Sequence, residues 1–359
     1  MRRTLRRLLP FLLFLLLLCT PARAAGLPEK PVDVLPEEAA QLLQETDGTL
    51  AETGLRRLLG SFGPALHAAL TESVRGAVLL TLVVLLTGAA QGFAAASGGP
   101  ALRYVPLAGV LGVTALAAGD LSALIGLGTA TMQDISAFTK LLLPTMAAAI
   151  AGSGGVITAS AWQVGTLWAA DALMSIINEL LLPLTYCHIA LAAAGAALPE
   201  AGLDQLADGL KKLISWGLCG IVALFTLYLS VSNVLTGSAD RAAVKAAQAA
   251  VSGAVPVVGG LLSGATEAVL GAAHSLRSAL GAAGVFGVLL LCLTPLVRLG
   301  VQFLLYKAAA FASAASGVKP LERLLEQLGD AFGLILGMTA SCALLLLAAL
   351  LVSLSMVVI

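Results

Sequence analysis

The stretch GAVLLTLVVLLTGAAQGFAAA, Gly76 to Ala96, runs 21 residues without a formal charge. About 20 apolar residues in a row are what an α-helix needs to cross a hydrocarbon core of about 30 Å. Such a run suits lipid, where a helix satisfies all of its backbone groups internally. The same reading repeats downstream. Between Gly76 and Pro199 the only formal charges are Arg103, Asp120, Asp134, Lys140, Asp171 and Glu179. Tyr104 to Ala118 reads as a second span. Leu121 to Thr158 is Gly-rich and interrupted by Asp134, Lys140 and Pro144, so it reads as one span plus a broken or re-entrant piece. Leu167 to Ala194 is long enough to cross, yet it holds Asp171, Asn178, Glu179 and Pro183. After a polar loop from Pro199 to Lys212, Leu213 to Thr236 and Val285 to Tyr306 are spans, the latter with Arg298 inside it. A short charged helix, Lys319 to Asp330, leads into an uncharged last span, Ala331 to Ile359. The expected fold is all-α, a polytopic helical membrane protein of six to eight spans. The count turns on how 121–194 is divided.

Composition agrees. Hydrophobic residues make up 59% of the chain, mean hydropathy is +0.98, and charged residues are 11%, against about 25% in an ordinary soluble domain. Too few charges remain to coat a soluble surface. Lys and Arg balance Asp and Glu at 20 each, so nothing points to nucleic acid. The cysteines (Cys19, Cys187, Cys219, Cys292, Cys342) form no C-x-x-C pair, and all but Cys19, which would leave with an export signal, read as small buried apolar residues.

At the N-terminus, Arg2, Arg3, Arg6 and Arg7 precede a twelve-residue apolar run, Leu8 to Cys19, and an Ala22-Arg23-Ala24 site. A twelve-residue helix rises only about 18 Å, too short to span, so residues 1–24 read as a cleaved export signal. Residues 25–75 carry eight acids against four bases. They read as an extracytoplasmic acidic helical segment, with Leu42, Leu43, Leu50, Leu55, Leu58, Leu59 and Phe62 on an apolar face. The multi-span domain is expected to fill 76–359.

Within that domain, 237–281 reads as an amphipathic hairpin. Ser238, Arg241, Lys245, Gln248 and Ser252 are spaced 3, 4, 3, 4, a narrow polar stripe on one helix. Pro256, Gly259 and Gly260 then break the chain. The returning helix carries Ser263, Glu267, His274 and Arg277. The stripe is a candidate partner face or conduit lining, with interfacial or re-entrant packing as the plainer reading.

Asp171 and Glu179 are candidate intramembrane charges, two turns apart and near one helix face. An ionisable group in a span suggests a polar path or a buried ion pair. Pairing with Lys140 or Arg298, or placement at the interface, is the alternative. Arg298 itself either neutralises one of these acids or snorkels from a shifted span. The many glycines, as at 152–155, fit close helix packing in lipid.

Catalytic motifs are missing. The sequence has no H-E-x-x-H, no G-x-G-D around Asp120, no G-x-S-G around Ser153, and no G-x-x-x-x-G-K-[ST]. A non-enzymatic protein without cofactor or metal is expected, and any ATP would be used by a partner. An autonomous secondary transporter is the competing reading, since interrupted helices and buried acids are what a carrier needs.

The run Ala254-Val255-Pro256-Val257-Val258-Gly259-Gly260-Leu261-Leu262-Ser263, with Glu267-Ala268-Val269-Leu270-Gly271 after it, resembles the signature of the stage III sporulation protein AE family. The Leu291 to Leu296 core, Leu-Cys-Leu-Thr-Pro-Leu, is similar to that family too. Gly264 departs from it, standing where an acid is expected. The resemblance implies a subunit of the mother-cell membrane complex that meets a forespore membrane protein and forms a secretion-like channel needed after engulfment. Other membrane subunits and a cytoplasmic secretion-type ATPase are the implied partners.

Overall fold

The computed structural model describes residues 50–97, 101–152, 155–199, 202–254 and 259–355. It gives the backbone alone at 50–53, 97, 101–103 and 355, and over most of 233–277. The expected signal at 1–24 lies outside the described residues, as do residues 25–49 of the acidic segment read over 25–75.

The described chain is helical, with no strand among the described residues. Its elements are α1 (Leu50–Ser97), α2 (Ala101–Gly152), α3 (Val156–Ile176), α4 (Leu182–Ala197), α5 (Leu203–Ala254), α6 (Gly259–Ala315) and α7 (Lys319–Ser355). A single π turn, Ile177–Leu181, joins α3 to α4, so the two form one rod from Val156 to Ala197. Among the described residues the result is six rods, each long and apolar enough to cross a membrane. This is the all-helical polytopic architecture expected, at the low end of the span count.

The division of 121–194 differs from expectation. Tyr104–Ala118 and the stretch beyond it are one helix, α2, of 52 residues, and Pro144 lies inside it. A proline in a helix interior costs about 3 kcal/mol. Opening the backbone in a medium without water leaves several donors and acceptors unsatisfied, which costs more. The same argument keeps Pro106 within α2 and Pro295 within α6.

Short connections make neighbouring rods antiparallel, and side-chain contacts fix their levels. At one end of the bundle, Gly88 of α1 meets Ser316, and Gly195 of α4 packs on Asp204 of α5. At the other end, Trp162 Nε1 donates to Ala349 O at 3.0 Å. There Gly281 of α6 lies against Leu354 of α7.

Two apolar cores share α7. One gathers Met146, Ile150, Trp162, Leu173 and Leu346 from α2, α3 and α7, with α5 and α6 closing it. The other gathers Leu80, Val84, Val113, Tyr306, Leu325 and Phe332 from α1, α2, α6 and α7. Lipid offers no hydrophobic drive for helices to associate, so close van der Waals packing and small residues do the work. Of the described cysteines, Cys292 and Cys342 are buried as expected, whereas Cys187 and Cys219 lie on outward faces.

Gly109 shows how tight this packing is. A Cβ placed there would sit 2.6 Å from both the Cγ2 and the Oγ1 of Thr87. Thr87 is stiff at χ1 and its hydroxyl is committed to Val83 O at 2.7 Å. Replacing Gly109→Leu is therefore expected to part α1 from α2 and cost about 1–3 kcal/mol. Thermal unfolding in detergent measures this, and an unchanged midpoint would contradict it.

Candidate functional site

Polar side chains of this bundle fall into four groups, each positioned by two or more rods. The first lies on α6, where Arg298, Gln302 and Tyr306 repeat every four residues and share one face. Arg298 Nη2 pairs with Glu72 Oε2 of α1 at 3.1 Å. Gln302 Nε2 and Tyr306 OH both donate to Asp120 Oδ2 of α2, at 2.9 and 3.1 Å. Tyr306 is fully buried, with its ring 4.8 Å from that of Phe332. Asp120 is thus a carboxylate within α2 held by two neutral donors. Reading the sequence as isolated spans missed it. The signal was the 298–302–306 spacing, a polar file on the largely apolar stretch Val285 to Tyr306.

The second group ties α4, α5, α6 and α7 at the end where α7 begins. Asp330 receives Lys211 Nζ at 2.5 Å and Lys307 Nζ at 2.7 Å. Arg323 Nη1 reaches Asp204 Oδ2 at 2.9 Å. His188 is fully buried, with its ring nitrogens 3.0 Å from Ala207 O and 3.2 Å from Gln327 O. Carbonyls only accept, so the neutral ring donates to one of them and the doubly protonated ring to both.

The third group is a remote helix cap. Asp240 of α5, 1% exposed, takes the backbone N–H of Ile157 at 2.9 Å and of Thr158 at 2.8 Å. These are orphan donors of the first turn of α3, and a carboxylate there also opposes the helix dipole. Asp240 stands between Ser238 and Arg241, the first two positions of the stripe read from the sequence. The cap was hidden because it serves a helix more than eighty positions away in the chain.

The fourth group is the outer face of α2 and α3. Lys140 Nζ lies 3.2 Å from Asp171 Oδ1, and both side chains are more than half exposed. Glu179 is exposed and falls within the π turn, a feature often found at functional positions. Asp171 therefore pairs with Lys140, one of the two partners considered for it. Arg298 pairs with Glu72 rather than with Asp171 or Glu179.

The hairpin stripe is described only in part. Arg241, Lys245 and Gln248 fall on α5, and Glu267, His274 and Arg277 on α6. Lys245 is exposed. The side chains of the other five lie outside the described residues, as does Pro256. Gly259 and Gly260 are the first two residues of α6. Among the described residues, no group of three or more His, Cys, Asp and Glu side chains is placed to hold a metal ion.

The sequence model of the stage III sporulation protein AE family matches residues 59–357. The stage III sporulation protein AE of Bacillus subtilis (strain 168) is 23% identical over 195 residues, 54% of this chain and 49% of that protein. The match therefore spans about half the length of that curated relative. No solved structure matches.

Proposed function

We propose, from the premise that this chain belongs to the stage III sporulation protein AE family, that it is a non-enzymatic, multi-pass subunit of a channel complex. That complex joins mother cell and forespore and is needed after engulfment. The observation carrying this reading is the extent of the family match, which takes in all but the first nine residues of the six-rod bundle. The polar groups of the bundle support it. Among the described residues they are pairs and files strung between helices, without a nucleophile beside a base or a nucleotide cradle. In this reading the chain sits in the mother-cell membrane around the forespore, with its acidic N-terminal segment outside the cytoplasm. Its partners are the other membrane subunits, a cytoplasmic secretion-type ATPase and a forespore membrane protein.

One observation favours a second reading, an autonomous carrier. Asp120, bonded to Gln302 and Tyr306 alone among the described residues, is the kind of intramembrane carboxylate that a cation-coupled transporter uses. Purified chain reconstituted in vesicles separates the two. A complex subunit gives no flux of ions or small solutes by itself, whereas a carrier gives saturable flux without partners.

The stripe on 237–281 has its own test. If it faces a partner, replacing Arg241, Lys245 and Glu267 together by alanine impairs sporulation while the chain still inserts in the membrane. Normal spore formation in that strain would reduce the stripe to an interfacial face.

A further inference from the structure

We infer that the outer face shared by α2 and α3 is wet, and that it lines a water-filled path which draws hydrated cations. This deepens the conduit reading and rests on it. The first observation is the level at which the face sits. A Cβ on Gly128 of α2 would lie 2.8 Å from Ile335 of α7, and one on Gly284 of α6 would lie 2.8 Å from Leu142 of α2. Tyr228 OH of α5 donates to Ala161 O of α3 at 3.1 Å. These contacts set the second half of α2, and α3 with its π turn, beside the charge-free stretches of the other rods. Residues 213–239 of α5, 278–297 of α6 and 331–355 of α7 hold no Asp, Glu, Lys or Arg. That is the composition of a hydrocarbon level.

At this same level α2 and its neighbour rod carry Asp134, Lys140, Asp171 and Glu179, all exposed. The polar character continues along files. Gln133 and Lys140 are seven residues apart on α2, and Asp171 and Asn178 are seven apart on the next rod, so each couple shares a side of its helix. The Lys140–Asp171 contact at 3.2 Å sets the two antiparallel files together, which brings Gln133 level with Asn178. Hydrocarbon against such a face is expensive, and intramembrane charges instead face protein or water. Lys140 and Asp171 balance one another. Asp134 and Glu179 have no ion-pair partner among the described residues, which leaves the face with a surplus of negative charge. A protein covering it would have to bring two bases to that level, whereas water and mobile cations need no such match.

Thiol accessibility in the full chain, in membranes of the native host with its partners present, tests this. Ser175→Cys and Asn178→Cys are introduced singly in a background whose own cysteines are replaced by alanine. Trp216→Cys and Leu224→Cys, on the exposed apolar face of α5, serve as lipid-facing controls. Two membrane-impermeant methanethiosulfonates are compared, one bearing a trimethylammonium group and one a sulfonate. Positions 175 and 178 are expected to react about tenfold faster than the controls, and faster with the cation than with the anion. Glu179→Gln should narrow that difference. Rates at 175 and 178 equal to the controls would overturn the wet face, whether lipid or protein covers it. Equal rates for the two reagents would overturn the cation preference. If cysteine at 178 prevents accumulation, Gln133→Cys at the same level gives the reading instead. The conduit reading fails separately, in a strain that lacks the gene and still forms normal spores.

Discussion

A strain lacking this gene is expected to grow at the parental rate in rich medium. Its yield of heat-resistant spores should fall to the background of the plating assay. The expectation follows from family membership, since the match covers 59–357 and the family is a sporulation family. Timing carries the finer part. A subunit needed only after engulfment lets the forespore be enclosed normally and then fail, so microscopy should show enclosed forespores that stay small or collapse. Failure before enclosure would move the role earlier. Normal spores together with a nutrient or ion phenotype in growing cells would shift the weight to the carrier reading. The two readings separate because the proposed channel role is confined to a sporulating cell, whereas a carrier would also act in a growing one.

Replacing Asp330→Leu is expected to give a large loss of stability. The Asp330 side chain is 9% exposed and accepts from two ammonium groups, Lys211 and Lys307, on two different rods. Removing it leaves Lys211 without its carboxylate in a partly buried pocket, and leaves Lys307 only Glu326, whose O and Oε1 lie 3.0 and 4.0 Å from its Nζ. Taking one partner from a buried pair costs about 3–5 kcal/mol. Lys307 and Lys211 remain 28% and 38% exposed and find some solvation, so about 3 kcal/mol is the expected loss. The variant should accumulate poorly and unfold earlier in detergent. Replacing Lys211→Met and Lys307→Met alongside it should recover most of the loss, because an apolar contact can stand in for a buried ion pair when every partner goes. A single variant as stable as the parent, or a triple variant no better than the single, would mean that the bridge holds nothing together.

The class of fold was legible because charge-free runs such as Gly76–Ala96 have one stable solution in lipid. The joints were less so. Tyr104–Ala118 and the residues after it looked separable at Asp120, but that carboxylate is met by donors 182 and 186 positions later on α6, a distance that local pattern does not carry. Arg298 went unmatched for a related reason. Its partner, Glu72, belongs to the acidic stretch read as lying outside the membrane domain, while α1 runs unbroken from Leu50 to Ser97. Asp171 was easier, since few bases fall within the spans and Lys140 is one of them. His188 had no local mark of its role, because both of its partners are backbone carbonyls and these have no sequence signature.

The length of the rods constrains how one copy of the chain can be handled. A hydrocarbon core covers about 20 residues of a helix, but the rods run from 37 to 57 residues. On α1, outward apolar side chains extend from Leu55 to Phe93, about 57 Å along the axis at 1.5 Å per residue. A bilayer or a detergent belt of ordinary height wets only part of that column and leaves an oily collar. A collar of that kind is sticky in isolation and quiet when a neighbouring subunit closes over it. Purification of the lone polypeptide should therefore give polydisperse aggregates in detergent, and co-expression with its assembly partners should give a single sharp species.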